Sequence, residues 1–276
     1  MKKSKKLLAL LLTALLVLSL LPTVALADGD ALTDLTSADN WVCDRTEPQS
    51  FKIEDGKISF SVNENPAAEN WYAWNGRKAE TGVPVSNAWT VEYTMDITEE
   101  MLTTDNVNAS LWLQVDEAGE GTVENQQNCV DWCIVQFINN GGSAKWQAWS
   151  SDESDPGWND VDVAPTAGEH TIKVTFLNGT ITQYIDDEEV NTYDIADVYI
   201  TSPAAVIAQG RSYGKTFDVE IGVPTISYGV AEINETVYAT LAAAVAAAGD
   251  DDVIELIADI TLTACVVITE GEDITV

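Results

Sequence analysis

The sequence predicts an all-β fold, a jelly-roll two-sheet sandwich followed by a short helix, and three observations carry that prediction. From Trp41 to Tyr228, short apolar runs are broken by Gly, Pro, Asn and Asp with almost no helical periodicity. The stretch Trp89 to Ile97 alternates, with Trp89, Val91, Tyr93, Met95 and Ile97 on one face and Thr90, Glu92, Thr94 and Asp96 on the other. That is the pattern of a strand with one face in a core and one in water. About ten or more such segments fit into roughly 190 residues, a density that suits two stacked antiparallel sheets.

The elements follow in order. Met1 to Ala27 reads as a secretory signal: Lys2, Lys3, Lys5 and Lys6 form a basic start, Leu7 to Leu21 an apolar run, and Ala25, Leu26 and Ala27 a small-x-small cleavage site. The run is short for a membrane span and Pro22 breaks it, so a soluble exported chain starting at Asp28 is expected, with no membrane contact after cleavage. Such a signal looks bacterial. Phe51 to Ile53 and Ile58 to Val62 flank Asp55 and Gly56, a strong hairpin signal. Leu111, Leu113 and Val115 point inward with Trp112 and Gln114 outward, and Ile134 to Ile138 is apolar on both faces, as a central strand would be. Further strands are expected at Asn70 to Trp74, Ala144 to Ser150, Thr171 to Leu177, Thr180 to Ile185, Ala204 to Gln209 and Thr216 to Tyr228.

Composition excludes more chemistry than it suggests. The 276 residues carry 13 Lys plus Arg against 45 Asp plus Glu, a formal charge of -32. Phosphate backbones are bound by Lys and Arg that release counterions, so nucleic acid is not an expected partner, and anionic membrane surfaces are disfavoured for the same reason. With 46% hydrophobic residues and nine Trp the chain buries enough apolar surface to offset its ordering entropy, so the charge belongs to a folded surface. One histidine, His170, rules out zinc sites built on several imidazoles. Four cysteines leave three pairings open. Cys129 and Cys133 lie about 13 Å apart if their segment is extended, too far for a bond. Cys43 could bridge to either, Cys265 has no obvious partner, and small buried hydrophobes are the equally weighted alternative.

The stretch His170 to Val190 (HTIKVTFLNGTITQYIDDEEV) resembles the hairpin of concanavalin A-like lectin/glucanase sandwiches, including laminin-G-like domains. Asn178 and Gly179 supply the first tight turn and Asp186 and Asp187 the second, with Glu188 where that family usually has Gly. Phe217 to Tyr228 (FDVEIGVPTISY) resembles the closing strand of the same fold. The resemblance covers about two thirds of the chain and implies a fold, not an activity, since binders, enzymes and inert modules share it.

After Tyr228 the composition changes. Tyr238 to Ala248 is an alanine-rich helix with Gly249 as its stop, followed by strand-like pieces at Val253 to Ile257, Ile260 to Leu262, Cys265 to Ile268 and Ile274 to Val276. This resembles the capping helix and a partial first rung of a right-handed parallel β-helix of the pectin-lyase-like type, and a rung needs stacked neighbours to bury its core. The expected organisation is a signal peptide at 1–27, a sandwich at 28–228, and the start of an incomplete β-helix at 229–276; a small β appendage packed on the sandwich is the alternative.

Carbohydrate is the expected ligand class, because a pyranose presents apolar C–H faces that stack on indole while its hydroxyls take polar side chains. Trp158, read as lying in a polar loop from Ser151 to Val163, is the leading candidate, with Trp71, Trp74 and Trp149 beside it and Arg77 as a polar partner. Trp146 and Trp149 fall on opposite faces of their strand, as do Trp71 and Trp74. Calcium is the cofactor an acidic surface would favour, and Asp152, Asp155, Asp160 and Asp162 form the densest group, although they do not fit an EF-hand loop. Glucanases of the resembled fold carry Glu-x-Asp-x-Glu on one strand; Thr216, Asp218 and Glu220 are the nearest match, with Thr in place of the first Glu, which argues against a retaining hydrolase. His170 has no nucleophile elbow near it and reads as a surface residue at a strand start. The expected function is a secreted, non-catalytic module of a larger extracellular protein that binds a polysaccharide or a host or cell-surface glycan. A polysaccharide-degrading enzyme and a structural or adhesin spacer are the alternatives.

Overall fold

The computed structural model describes residues 32–64, 74–117, 129–151, 156–195, 198–212, 214–234, 236–249 and 251–258. The expected signal peptide and the strands expected at 260–262, 265–268 and 274–276 lie outside them.

The chain weaves between two antiparallel sheets. It enters the first with β1 (Val42–Cys43), crosses to the second as the hairpin β2 (Ser50–Glu54) and β3 (Lys57–Val62), and returns with β4 (Asn75–Glu80). It crosses again with β5 (Ala88–Ile97), makes the short helix α1 (Glu99–Thr103), and lays β6 (Val107–Asp116), β7 (Asp131–Asn140), β8 (Ser143–Ser150) and β9 (Gly157–Asp160) side by side in the first sheet. A meander of β10 (Gly168–Leu177), β11 (Thr180–Ile185) and β12 (Glu188–Asp194) follows in the second sheet, β13 (Ser202–Ser212) returns to the first, and β14 (Phe217–Gly222) and β15 (Thr225–Tyr228) close the second. The first sheet has the order β1-β4-β13-β6-β7-β8-β9, and the second β12-β11-β10-β5-β14-β3-β2 with β15 alongside β5. This is the expected jelly-roll sandwich, in which neighbours distant in sequence pair across crossovers.

One continuous core lies between the sheets, with Trp89, Trp146, Phe60, Phe137, Phe176 and Ile172 among its largest fully buried side chains. Burying each such side chain is worth roughly 1.5–3 kcal/mol. The turns that fix register are those of the sequence: Asn178 and Gly179 both take positive φ, at 48° and 93°, and Asp186 and Asp187 do the same without glycine, at 51° and 64°. The single closing strand expected from Thr216 to Tyr228 is split, because Pro224 has no N–H for the ladder; both halves still pair with β5. The strand expected at Asn70 to Trp74 falls largely outside the described residues, and the observed strand begins at Asn75. Helix α1, too short to show a periodicity, starts where the Thr98 hydroxyl accepts from Met101 N at 3.1 Å.

After Tyr228 come β16 (Ala231–Ile233), β17 (Thr236–Tyr238), α2 (Leu241–Ala247) and β18 (Glu255–Leu256). The expected helix begins three residues late, since Tyr238 ends β17 and the Thr240 hydroxyl caps α2 by accepting from Ala243 N at 3.0 Å. The described strands here pair antiparallel in the order β17-β16-β18, so they do not form the parallel coil of a β-helix rung. This small layer packs on the sandwich through Ala88, Val237 and Ile257.

Candidate functional site

The outer face of the first sheet is where strand alternation and burial part company. A face turned away from the core normally reads as polar and wet. Here Trp74, Trp112, Ile134 and Ile207 are buried on it in a cluster of their own, with Trp132 and Trp149 packed against them. Register explains the grouping: Lys78 pairs with Ile207, Ile207 with Trp112, and Trp112 with Ile134, and at the far edge Trp149 pairs with Trp158. Ring centroids lie 5.3 Å apart for Trp74 and Trp112, 5.7 Å for Trp112 and Trp132, and 5.4 Å for Trp149 and Trp158, all edge-to-face.

A polar row runs beside the aromatic one. Gly76 pairs with Gln209, Gln209 with Ser110, Ser110 with Gln136, Gln136 with Gln147, and Gln147 with Asp160. Gln136 Nε2 donates to Gln147 Oε1 at 2.9 Å, Gln147 Nε2 donates to Asp160 Oδ1 at 2.8 Å, and Lys145 Nζ donates to Asp160 Oδ2 at 2.8 Å. At the other end Arg45 Nη1 donates to Gln209 Oε1 at 2.6 Å. The Arg45 guanidinium lies 5.2 Å from the Trp112 ring centroid and that of Arg211 5.2 Å from Trp74, both within cation–π range. Arg45 also pairs with the buried Asp44 at 2.9 Å. Burial raises the Asp44 carboxyl above its usual value against the opposing pull of Arg45 and Lys78, and burial lowers Arg45.

The expected ligand residues distribute unevenly over this geometry. Trp158 is not in a loop but on the edge strand β9, the most exposed of the described tryptophans at 37%. Trp149 and Trp74 join it on the outer face, while Trp146 is in the core, as alternation required. Trp71 lies outside the described residues. Arg77 faces the other way, paired with Glu47 at 2.6 Å and over the Phe51 ring, so Arg45 and Arg211 are the guanidinium groups of the tryptophan face. Trp112 was legible from the Leu111, Leu113, Val115 alternation; Ser110, Gln136 and Gln209 were not, because short polar residues inside apolar strands give no local signal.

The acidic group does not make a cation site among the described residues. Asp152 and Asp155 lie outside them, both oxygens of Asp160 are already engaged, and Asp162 is exposed on the connection after β9. No group of three potential ligands occurs among the described residues. Asp218 and Glu220 sit on the outer face of the second sheet, bonded to Ser61 and Lys57, away from the tryptophans. His170 is a correction: it is 6% exposed, not a surface residue. Its Nδ1 meets Asp186 Oδ2 at 2.7 Å, its Nε2 meets Thr166 O at 2.9 Å, and its ring packs on Trp146. Among the described residues, Cys43, Cys129 and Cys133 form no disulfide with one another. Burial pushes the Cys129 thiol up to about 12, with help from Asp131, and raises Cys133 as well, so neither is a thiolate nucleophile at neutral pH.

These features define a two-sheet antiparallel jelly-roll sandwich with an aromatic outer face. Among solved structures it is similar to an alginate lyase from polysaccharide lyase family 7 (TM-score 0.43, 14% identity, covering 70% of this chain and 95% of that one). It is also similar to the carbohydrate recognition domain of Emp47p (0.42, 12%, 74% and 100%) and to a β-1,3-1,4-glucanase derived from a mouse hindgut metagenome (0.42, 11%, 71% and 96%). At these identities the likeness concerns the fold alone. No family model and no curated protein matches the sequence.

Proposed function

We propose that this chain is a secreted, non-catalytic module that binds carbohydrate on the outer face of its first sheet. The observation that supports it is the tryptophan row Trp112, Trp149, Trp158 running beside a row of amide and hydroxyl groups. Apolar rings stack on the C–H faces of a sugar while amides and hydroxyls bond its rim. The polar row consists of Gln209, Ser110, Gln136 and Gln147, groups that at neutral pH are neither general acids nor general bases, which favours binding over hydrolysis. The partner is a polysaccharide or a cell-surface glycan, met outside the cell.

The test is a glycan array with the whole chain and with Trp158→Ala. Trp158 is exposed at an edge, so its loss leaves the fold intact and is expected to weaken binding about tenfold, the size of one lost stacking contact. Binding of equal strength in the variant would place the ligand elsewhere. Running the array with calcium and with chelator tests the cation: sensitivity to chelator would revive a role for the acidic residues around β9.

A further inference from the structure

Three buried polar atoms in the amide row have no hydrogen-bond partner among the described residues: Gln209 Nε2, Ser110 Oγ and Gln136 Oε1. Their residues are 0%, 0% and 3% exposed, and register makes them consecutive on one face of adjacent strands. Buried polar groups are rarely left unpaired, because each costs its full desolvation penalty, so three in a row call for an explanation.

The polarity of the row is fixed from its ends. Arg45 can only donate, so it takes the oxygen of Gln209 and leaves the Gln209 Nε2 donor pointing into the row. Asp160, paired with Lys145, can only accept, so it takes the nitrogen of Gln147. Gln147 must then offer its oxygen to Gln136 Nε2, which leaves Gln136 Oε1 as an acceptor. Between them Ser110 Oγ can do both. The row therefore presents a donor, an amphoteric hydroxyl and an acceptor in sequence, each held by strands and not by loops.

The geometry points to a specificity subsite for adjacent hydroxyls of a neutral sugar, formed by Gln209, Ser110 and Gln136 beside the buried Trp112; it rests on the carbohydrate-binding reading above. A vicinal diol satisfies all three atoms, since each hydroxyl both donates and accepts. A carboxylate in the row has only acceptors and would face the Gln136 oxygen unpaired, so a uronate meets these atoms only through its ring hydroxyls and gains nothing from its charge there. Arg45 already holds Asp44 and Lys145 already holds Asp160, so neither of these two brings an uncompensated charge to an acid. Side-chain exposure falls along the row, from 61% at Asp160 to a fully buried Gln209, so a sugar enters from the β9 edge past Trp158 and Trp149. Arg45 is a positioning residue that sets the Gln209 amide and does not itself meet the sugar.

Binding of the whole chain to neutral gluco-, manno- and xylo-oligosaccharides and to oligo-uronates, read by calorimetry, tests this, together with Gln209→Glu and Ser110→Ala. Gln209→Glu keeps the contact to Arg45 and replaces the donor by an acceptor; Ser110→Ala nearly conserves volume and guards against a misfolded first variant, with melting curves as the control. The expected result is binding of a neutral oligosaccharide weakened about tenfold or more in each folded variant. A deoxy analogue of the same sugar should lose affinity for the wild type but not for Gln209→Glu. Neutral binding unchanged in both folded variants, or preference for uronates, overturns the subsite and leaves carbohydrate binding standing. No binding to any sugar by the wild type overturns both.

Discussion

Asp131 is buried at the start of β7, where Tyr193 donates to its Oδ2 and the Trp132 amide to its Oδ1, both at 2.7 Å. Burial raises its carboxyl above the usual value, against the opposing effect of hydrogen bonds from Tyr193, Ser151 and Trp132. A carboxyl whose folded value is raised binds its proton more tightly in the folded state, so its contribution to stability is fully present below the unfolded value near 3.9 and is lost as pH rises through the folded value. Asp131→Asn keeps the shape and removes the titration, and Tyr193 can turn its hydroxyl to accept. The variant is expected to gain on the wild type in melting temperature between pH 3.5 and pH 7; a constant difference across that range would show that burial of Asp131 costs nothing on ionisation. Gly76 makes the opposite point about space. A Cβ there would overlap the carbonyl of Ala208 and the side chain of Gln209, so Gly76→Ala is expected to cost about 1–3 kcal/mol in chemical denaturation and to displace Gln209 from its row. Unchanged stability would mean that β4 and β13 can part freely.

Strands that alternate cleanly were legible in the sequence, and strands whose two faces are both apolar were legible only as strands. Trp89 to Ile97 became β5 with the predicted faces, and the Asn178-Gly179 turn became a hairpin, because each signal is local. β9 was missed because four residues, two of them Asn and Asp, read as loop until Trp149 and Gln147 are known to lie opposite Trp158 and Asp160. The site was hidden for the same reason, since Ser110, Gln136 and Gln209 are some 26 to 99 positions apart in sequence and meet only through pairing. His170 was misjudged because a strand-start histidine beside Glu169 looks wet, whereas the Asp186 turn folds over it. The C-terminal layer is an element of the same kind, held by non-local contacts: Ser86 Oγ donates to Gly229 O at 2.7 Å and Ala88, Val237 and Ile257 bury one another. A chain ending at Tyr228 is therefore expected to lose roughly 1–3 kcal/mol relative to the whole chain, measured by denaturant unfolding. Equal midpoints would show that the layer rests on the sandwich without stabilising it.

At the scale of the molecule the charge dominates. A formal -32 on one chain repels itself, and repulsion among exposed carboxylates is screened by salt over a Debye length of about 10 Å at 0.1 M. At the tryptophan face Arg45 and Lys78 are held against Asp44, and Lys145 against Asp160. Two consequences separate cleanly. Stability is expected to rise with sodium chloride between 10 mM and 0.5 M, and calcium chloride at matched ionic strength should do no more than that if the acidic groups act only as a diffuse charge. A rise in melting temperature at low millimolar calcium beyond the matched sodium curve would instead identify a specific cation site. Affinity for a neutral sugar, in contrast, is expected to be flat over the same salt range, because the groups that meet it are uncharged and the charged ones behind them are already paired; affinity that falls steeply with salt would show that the face recognises charge.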